Sequence, residues 1–187
     1  MTAPAPARPR EVALAHYRDR QLLVDAAGTV AGQMWSEVDP ANIADSWARQ
    51  IPELTAVVSG AQLGAARPAD RYVDDALDVQ DLDDEAASPI DPAGFAGHAS
   101  DGRGLPGLLA NPVVVALLAI QDGVDVARAL LAGRANLDML VRTQVADAGR
   151  LADQVALTAR PAATGYVRVA VGNSCSRCLI LAGRVYQ

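Results

Sequence analysis

VDVARALLAGRANLDMLVRTQVADAGRLADQVALTA, residues 124–159, is the stretch that decides the fold. Leu130, Leu137, Val141, Val145, Ala148, Leu151 and Val155 recur in it at three-, four- and seven-residue steps. That spacing puts them on one apolar stripe of an α-helix. No proline interrupts the stretch; Asp122-Gly123 closes whatever helix precedes it, and Pro161 ends it. At 1.5 Å per residue such a helix runs roughly 54 Å. A second long helix is expected from Arg10 to Val38, where Tyr17, Val24, Ala27, Ala31, Met34 and Val38 repeat the pattern and Leu23 and Val30 widen it. Gly28 and Gly32 weaken that helix but let a neighbour approach closely. The fold class is therefore mainly α, an elongated helical bundle or set of hairpins.

Between the long helices the punctuation marks shorter ones. Asp39-Pro40 reads as N-cap and first position of a helix through Trp47, with Trp35 and Trp47 clamping the corner. Pro52 opens a third helix with Leu54, Val57, Val58, Ala61 and Ala65 on one face; Pro68 interrupts it, and helix resumes from Ala69 to about Asp81. Asn111-Pro112 restarts helix, and Val113, Val114, Val115, Leu117, Leu118 and Ile120 leave so little polar face that this helix is expected to be buried. The organisation expected is a flexible Pro-rich lead-in over 1–9, an N-terminal helical region over 10–80 and an acidic, Gly-rich linker over 81–104. A buried helix plus the long helix then fill 105–160. Residues 161–187 begin a small C-terminal α+β element.

Composition narrows the classes. Of the 187 residues 51% are hydrophobic but only 4% aromatic, so burial has to come from Ala, Val and Leu, which favours slender helices packed on one another or on partner subunits. The formal charge of −6 argues against a general nucleic-acid coat protein. Every basic residue is Arg, and no acidic residue follows Asp153. Residues 154–187 therefore carry +4, which leaves −10 for residues 1–153, so the two ends are expected to face different surroundings. The first nine residues lack the apolar core of a signal peptide, and the most apolar window, Leu105 to Ile120, falls short of a membrane span. A cytosolic assembly with no membrane partner is the expectation.

Four candidates for chemistry stand out. Asp74 to Asp91 holds eight carboxylates and no base, but it lacks the sixth-position glycine of a calcium loop and reads as a solvated face. Cys175-Ser-Arg-Cys178 follows a short extended run, Tyr166, Val167, Val169 and Val171, and a Gly172-Asn173-Ser174 turn. Two thiolates at that spacing can hold one edge of a tetrahedral zinc site, form a redox pair or remain structural thiols. The only histidines are His16 and His98, both distant in sequence. His98 lies beside Ser100 and Asp101 in a Gly/Ser/Asp loop; a triad needs these groups to converge, which neighbours in a loop do poorly. Arg168, Arg177 and Arg184 could meet phosphates as bidentate forks or pair with acidic groups of a neighbour or of this chain.

The run Asp147-Ala-Gly-Arg150, Gly165-Tyr-Val-Arg168, Cys175-Ser-Arg-Cys178 and Leu181-Ala-Gly-Arg184 resembles the Mu F-like head morphogenesis proteins of tailed phages, in particular the minor capsid proteins of actinobacterial phages. Trp35, Asp39-Pro40, Ser46-Trp47, Pro52, Ala61-Gln62 and Tyr72-Val73 extend the likeness over most of the chain. It implies a structural protein in several copies inside the virion head near the portal, active in head assembly or DNA delivery. Its partners would be the portal or major capsid protein and the packaged DNA backbone. In such relatives further His and Cys residues follow the C-x-x-C, so zinc at Cys175 and Cys178 would require a chain continuing past Gln187. Competing classes are a head maturation protease using Ser100 or a Cys, and a small zinc-dependent nucleic-acid binder.

Overall fold

Two long helices carry the architecture. The computed structural model describes residues 7–82, 84, 86, 88–170 and 176–186. Helix α1 covers Ala7–Ser36 and α7 covers Val126–Thr158. Between them lie α2 (Ile43–Ala48), α3 (Ile51–Ala66), α4 (Ala69–Asp78), a 3-10 turn at Pro92–Phe95, α5 (Leu105–Leu109) and α6 (Asn111–Gln121). After α7 come strand β1 (Tyr166–Val167), helix α8 (Ser176–Leu181) and strand β2 (Val185–Tyr186). The chain is mainly α-helical with a small α+β element at its C-terminal end, as the periodicity indicates. It forms two compact units, one from residues 20–67 and 91–151, the other from 1–19, 68–90 and 152–187. Both long helices contribute to both units.

The larger unit is built on apolar burial. Val24, Ala27, Ala31 and Trp35 of α1 share one core with Leu54 and Val58 of α3, Leu105 and Leu109 of α5, and Leu137, Val141 and Val145 of α7. The two tryptophans meet edge to face at 4.9 Å and 71°. Each indole N–H has an acceptor inside the core: Trp35 Nε1 donates to Leu130 O at 3.0 Å and Trp47 Nε1 to Leu109 O at 2.7 Å. That satisfies the polar end of a large apolar group, which otherwise costs about 1–3 kcal/mol to bury.

Glycine sets the spacing of α1 and α7 here. A Cβ on Gly133 would lie 2.5 Å from the Trp35 ring and 2.8 Å from Pro112 O, so only hydrogen fits. A Cβ on Gly28 would sit 3.1 Å from the Arg142 guanidinium, which goes on to pair with Asp138 and Asp25. Those hydrogen bonds, Asp138 first, hold Arg142 above the usual arginine range.

Several expectations need correction in this light. Asp39-Pro40 does not cap α2: Asp39 Oδ1 accepts from Ala41 N at 2.9 Å, a local turn, and the helix begins only at Ile43 after Asn42. Helix α6 is buried on one side alone; Pro112, Val113 and Ala116 face the core, whereas Val114, Leu117 and Leu118 are exposed. A helix at the edge of a single core has neighbours on only half its circumference, whatever its composition. On α7 the expected stripe holds to Ala148, but Leu151 and Val155 are exposed and Ala152 and Ala156 take the buried positions. Tyr17 of α1 is exposed as well.

Part of the stretch expected as a linker is folded. Asp91 Oδ1 accepts from Ala93 N at 3.0 Å and starts the 3-10 turn. Buried Gln62 then holds the following loop through both ends of its amide, donating to His98 O at 2.8 Å and accepting from Gly97 N at 2.9 Å. Buried Gln144 accepts from Ser100 N at 2.7 Å. Two side-chain amides thus satisfy backbone groups that no helix or sheet does.

The smaller unit has a different interior. Among its described residues, Val73 and Leu77 of α4 and the alanines Ala69, Ala152 and Ala156 are the buried apolar ones. His16 stacks on Tyr72 with ring centroids 4.0 Å apart and 5° between planes. His16 Nε2 lies 3.0 and 3.2 Å from the two carboxylate oxygens of Asp153.

Candidate functional site: an arginine-bearing C-terminal hairpin

The C-terminal element is rooted in the smaller unit by carboxylates. Pro161 stops α7, and just before it Arg160 turns inward, only 4% exposed. Arg160 Nε donates to Asp74 Oδ1 at 3.1 Å, and Nη2 lies 3.9 Å from Asp70 Oδ1. Asp84 Oδ2 accepts from Ala162 N at 2.6 Å, and Asp70 Oδ2 accepts from Ile90 N at 2.9 Å. Burying a guanidinium costs several kcal/mol of desolvation, so this cluster is better seen as fixing where the C-terminal segment leaves α7 than as a net source of stability. The acidic run expected as a solvated face therefore contributes Asp74 and Asp84 to structure. A cleft of about 340 Å³ lies there, lined by Asp74, Leu77, Asp78, Asp84, Ala86 and Arg160.

Beyond that root, β1 and β2 pair antiparallel with Tyr166 opposite Tyr186 and Val167 opposite Val185. The expected strand is thus real but short: Val169 lies outside it, and Val171 lies outside the described residues. Its partner β2 was not foreseen. Arg168 and Arg184 adjoin the paired residues but belong to neither strand. Gly183 has φ +74 and donates its N–H to Arg168 O at 3.0 Å. The left-handed glycine closes α8, with Arg184 N donating to Leu181 O at 3.4 Å. Both arginines are exposed.

The other expected site residues fall as follows. Cys175 lies outside the described residues. Cys178 and Arg177 belong to α8, but their side chains lie outside the described part. Among the described residues no group of three or more His, Cys, Asp or Glu is arranged to hold a metal ion.

In the other unit, His98 is exposed and its Nδ1 lies 3.2 Å from Ala96 O. Ser100 is held by its backbone through Gln144, and Asp101 accepts from Arg103 Nε at 2.8 Å. That hydrogen bond holds the Asp101 carboxyl below its ordinary value. No hydrogen bond among the described residues joins His98, Ser100 and Asp101.

Sequence reasoning missed β2 and the Gln62 and Gln144 clamps. Val185-Tyr186 carried a weak signal for β2, being a β-branched and aromatic pair just after a glycine. The glutamines carried none, because nothing local distinguishes a buried amide from a solvated one. Comparison with known proteins finds no matching family model, no matching curated protein and no matching solved structure.

Proposed function

We propose that this chain is a structural minor capsid protein of a tailed bacteriophage, acting as an adaptor inside the head near the portal or shell during head assembly, DNA packaging or delivery. The observation that carries the reading is the separation of roles along the chain. A helical unit with a well-filled core offers an uncharged apolar face on α6, where Val114, Leu117 and Leu118 are exposed. That face suits docking on a portal or shell subunit. The stripes of the two long helices, expected to pack on each other or on partner subunits, share the chain's own core from Val24 to Val38 and from Leu137 to Val145. The end that bears Arg168, Arg177 and Arg184 has no acidic residue after Asp153, which suits an approach to packaged DNA.

The test is made on particles. The protein should travel with portal-containing heads through density-gradient purification. Deleting its gene should leave heads unfinished or unable to deliver DNA. Purified particles free of the protein, with normal head yield after deletion, would contradict the role.

A further inference from the structure

We infer that the cleft beside α4 takes the guanidinium or ammonium group of an Arg or Lys side chain from a partner polypeptide, and that Arg160 makes room by moving from Asp74 to Asp70. The cleft lies within the smaller unit, and its ligand does not depend on the proposed role. Asp74, Asp78 and Asp84 form its acidic wall, with Arg160 beside them. Asp70 adds a fourth carboxylate, its Oδ1 3.9 Å from Arg160 Nη2. Four carboxylates thus share one guanidinium, and a cleft with such an excess of one sign concentrates the other.

A run of carboxylates is ordinarily a solvated face; what distinguishes this one is how Arg160 is bonded. The residue is only 4% exposed, and its Nε and Nη2 both donate to the same oxygen, Asp74 Oδ1. Arg160 Nη1 and Asp70 Oδ1 are both buried without a hydrogen-bond partner. An unbonded donor and an unbonded acceptor are costly to bury in one cluster. Closing the gap from Nη2 to Asp70 Oδ1 takes a shift of about 1 Å and bonds that oxygen. What the shift leaves behind is Asp74, a carboxylate in the cleft without its counter-charge. A bound cation supplies it, so the seat at Asp70 is taken up when the cleft is filled. Leu77 and Ala86 complete the wall and give the methylene stem of Lys or Arg an apolar surface. At about 340 Å³ the cleft is far larger than a lone ion needs.

The experiment titrates the full chain with N-acetyl-arginine methylamide at constant ionic strength and follows backbone amides by NMR. Signals of residues 74–78, 84, 86 and 162 should move saturably, and the Arg160 Nε–H signal with them. The citrulline analogue, uncharged and of the same shape, should move them far less. Asp78→Asn, at an exposed position outside the Arg160 hydrogen bonds, should weaken binding several-fold. Asp70→Asn keeps an oxygen for the Ile90 amide but offers Arg160 a weaker seat. It should also weaken binding several-fold, although Asp70 lies outside the cleft wall. Melting curves establish that both variants are folded. Equal shifts from the citrulline analogue, none from the arginine compound at tens of millimolar, or wild-type affinity in Asp78→Asn overturns the site. Tighter binding of magnesium or calcium chloride at the same residues overturns the side chain as its ligand. Wild-type affinity in folded Asp70→Asn overturns the movement of Arg160.

Discussion

The two units of this chain are held together by different chemistry. In the larger, Trp35, Trp47, Leu54, Leu105, Leu109 and Leu137 share one apolar core, and both indole N–H groups and the Gln62 amide have acceptors in place. In the smaller, the buried apolar residues among those described are two aliphatic side chains and three alanines, and its specific contacts are directional: Arg160 with Asp74, Asp84 with the Ala162 amide, and His16 with Asp153 and Tyr72. Apolar burial is non-directional and scales with area, so the larger unit should resist salt and tolerate small shifts. Ion pairs and stacked rings are directional and little apolar area is buried behind them, so the smaller unit should open first.

The comparison breaks most visibly at Trp47. Trp47→Ala removes the largest fully buried side chain and the donor to Leu109 O, and should cost about 3–5 kcal/mol in urea unfolding. A loss below 1 kcal/mol would mean that the larger unit is not organised around this core. Next comes Gly133→Ala, whose added methyl must displace the Trp35 ring or Pro112; overpacking of this kind costs about 1–3 kcal/mol and should show as a lower melting temperature.

Gln62→Leu should cost about 1–3 kcal/mol, because it leaves the Gly97 amide without its acceptor, and should raise hydrogen exchange at residues 97–100. The smallest effect is acid-dependent. The Asp101 carboxyl titrates below its ordinary value of 3.8 because Arg103 holds its ionised form. Its contribution is present above that ordinary value and is lost as pH falls through the lower, folded one. Carboxyl NMR should show Asp101 protonating below the ordinary value, and Arg103→Ala should bring it back up.

What could be read beforehand follows the same division. Regular burial is written in spacing, so α1, α3 and α7 were legible from Val24, Ala31, Leu54, Val58, Leu137 and Val141. Punctuation was legible too: Pro68 separates α3 from α4, and Gly123 at φ +86 ends α6. What periodicity does not encode is which neighbours exist. Val114 and Val113 look alike in sequence, yet only Val113 has a core beside it.

Contacts across long separations were hidden for a second reason. Arg160 and Asp74 are 86 residues apart, and an arginine bound for burial has the same local pattern as one bound for solvent. In the candidate site, the arginines were legible as charges, but the pairing of β1 depended on a strand that two residues, Val185-Tyr186, were too short to announce.

The most direct test of this account is hydrogen exchange by mass spectrometry on the wild type and on Arg160→Ala. Removing the guanidinium should speed exchange within 69–78, 88–90 and 152–163, and leave 43–66 and 105–121 unchanged. Equal deprotection of all these segments, or of none, would contradict the claim that the Arg160 cluster fixes the arrangement of one unit while apolar packing holds the other.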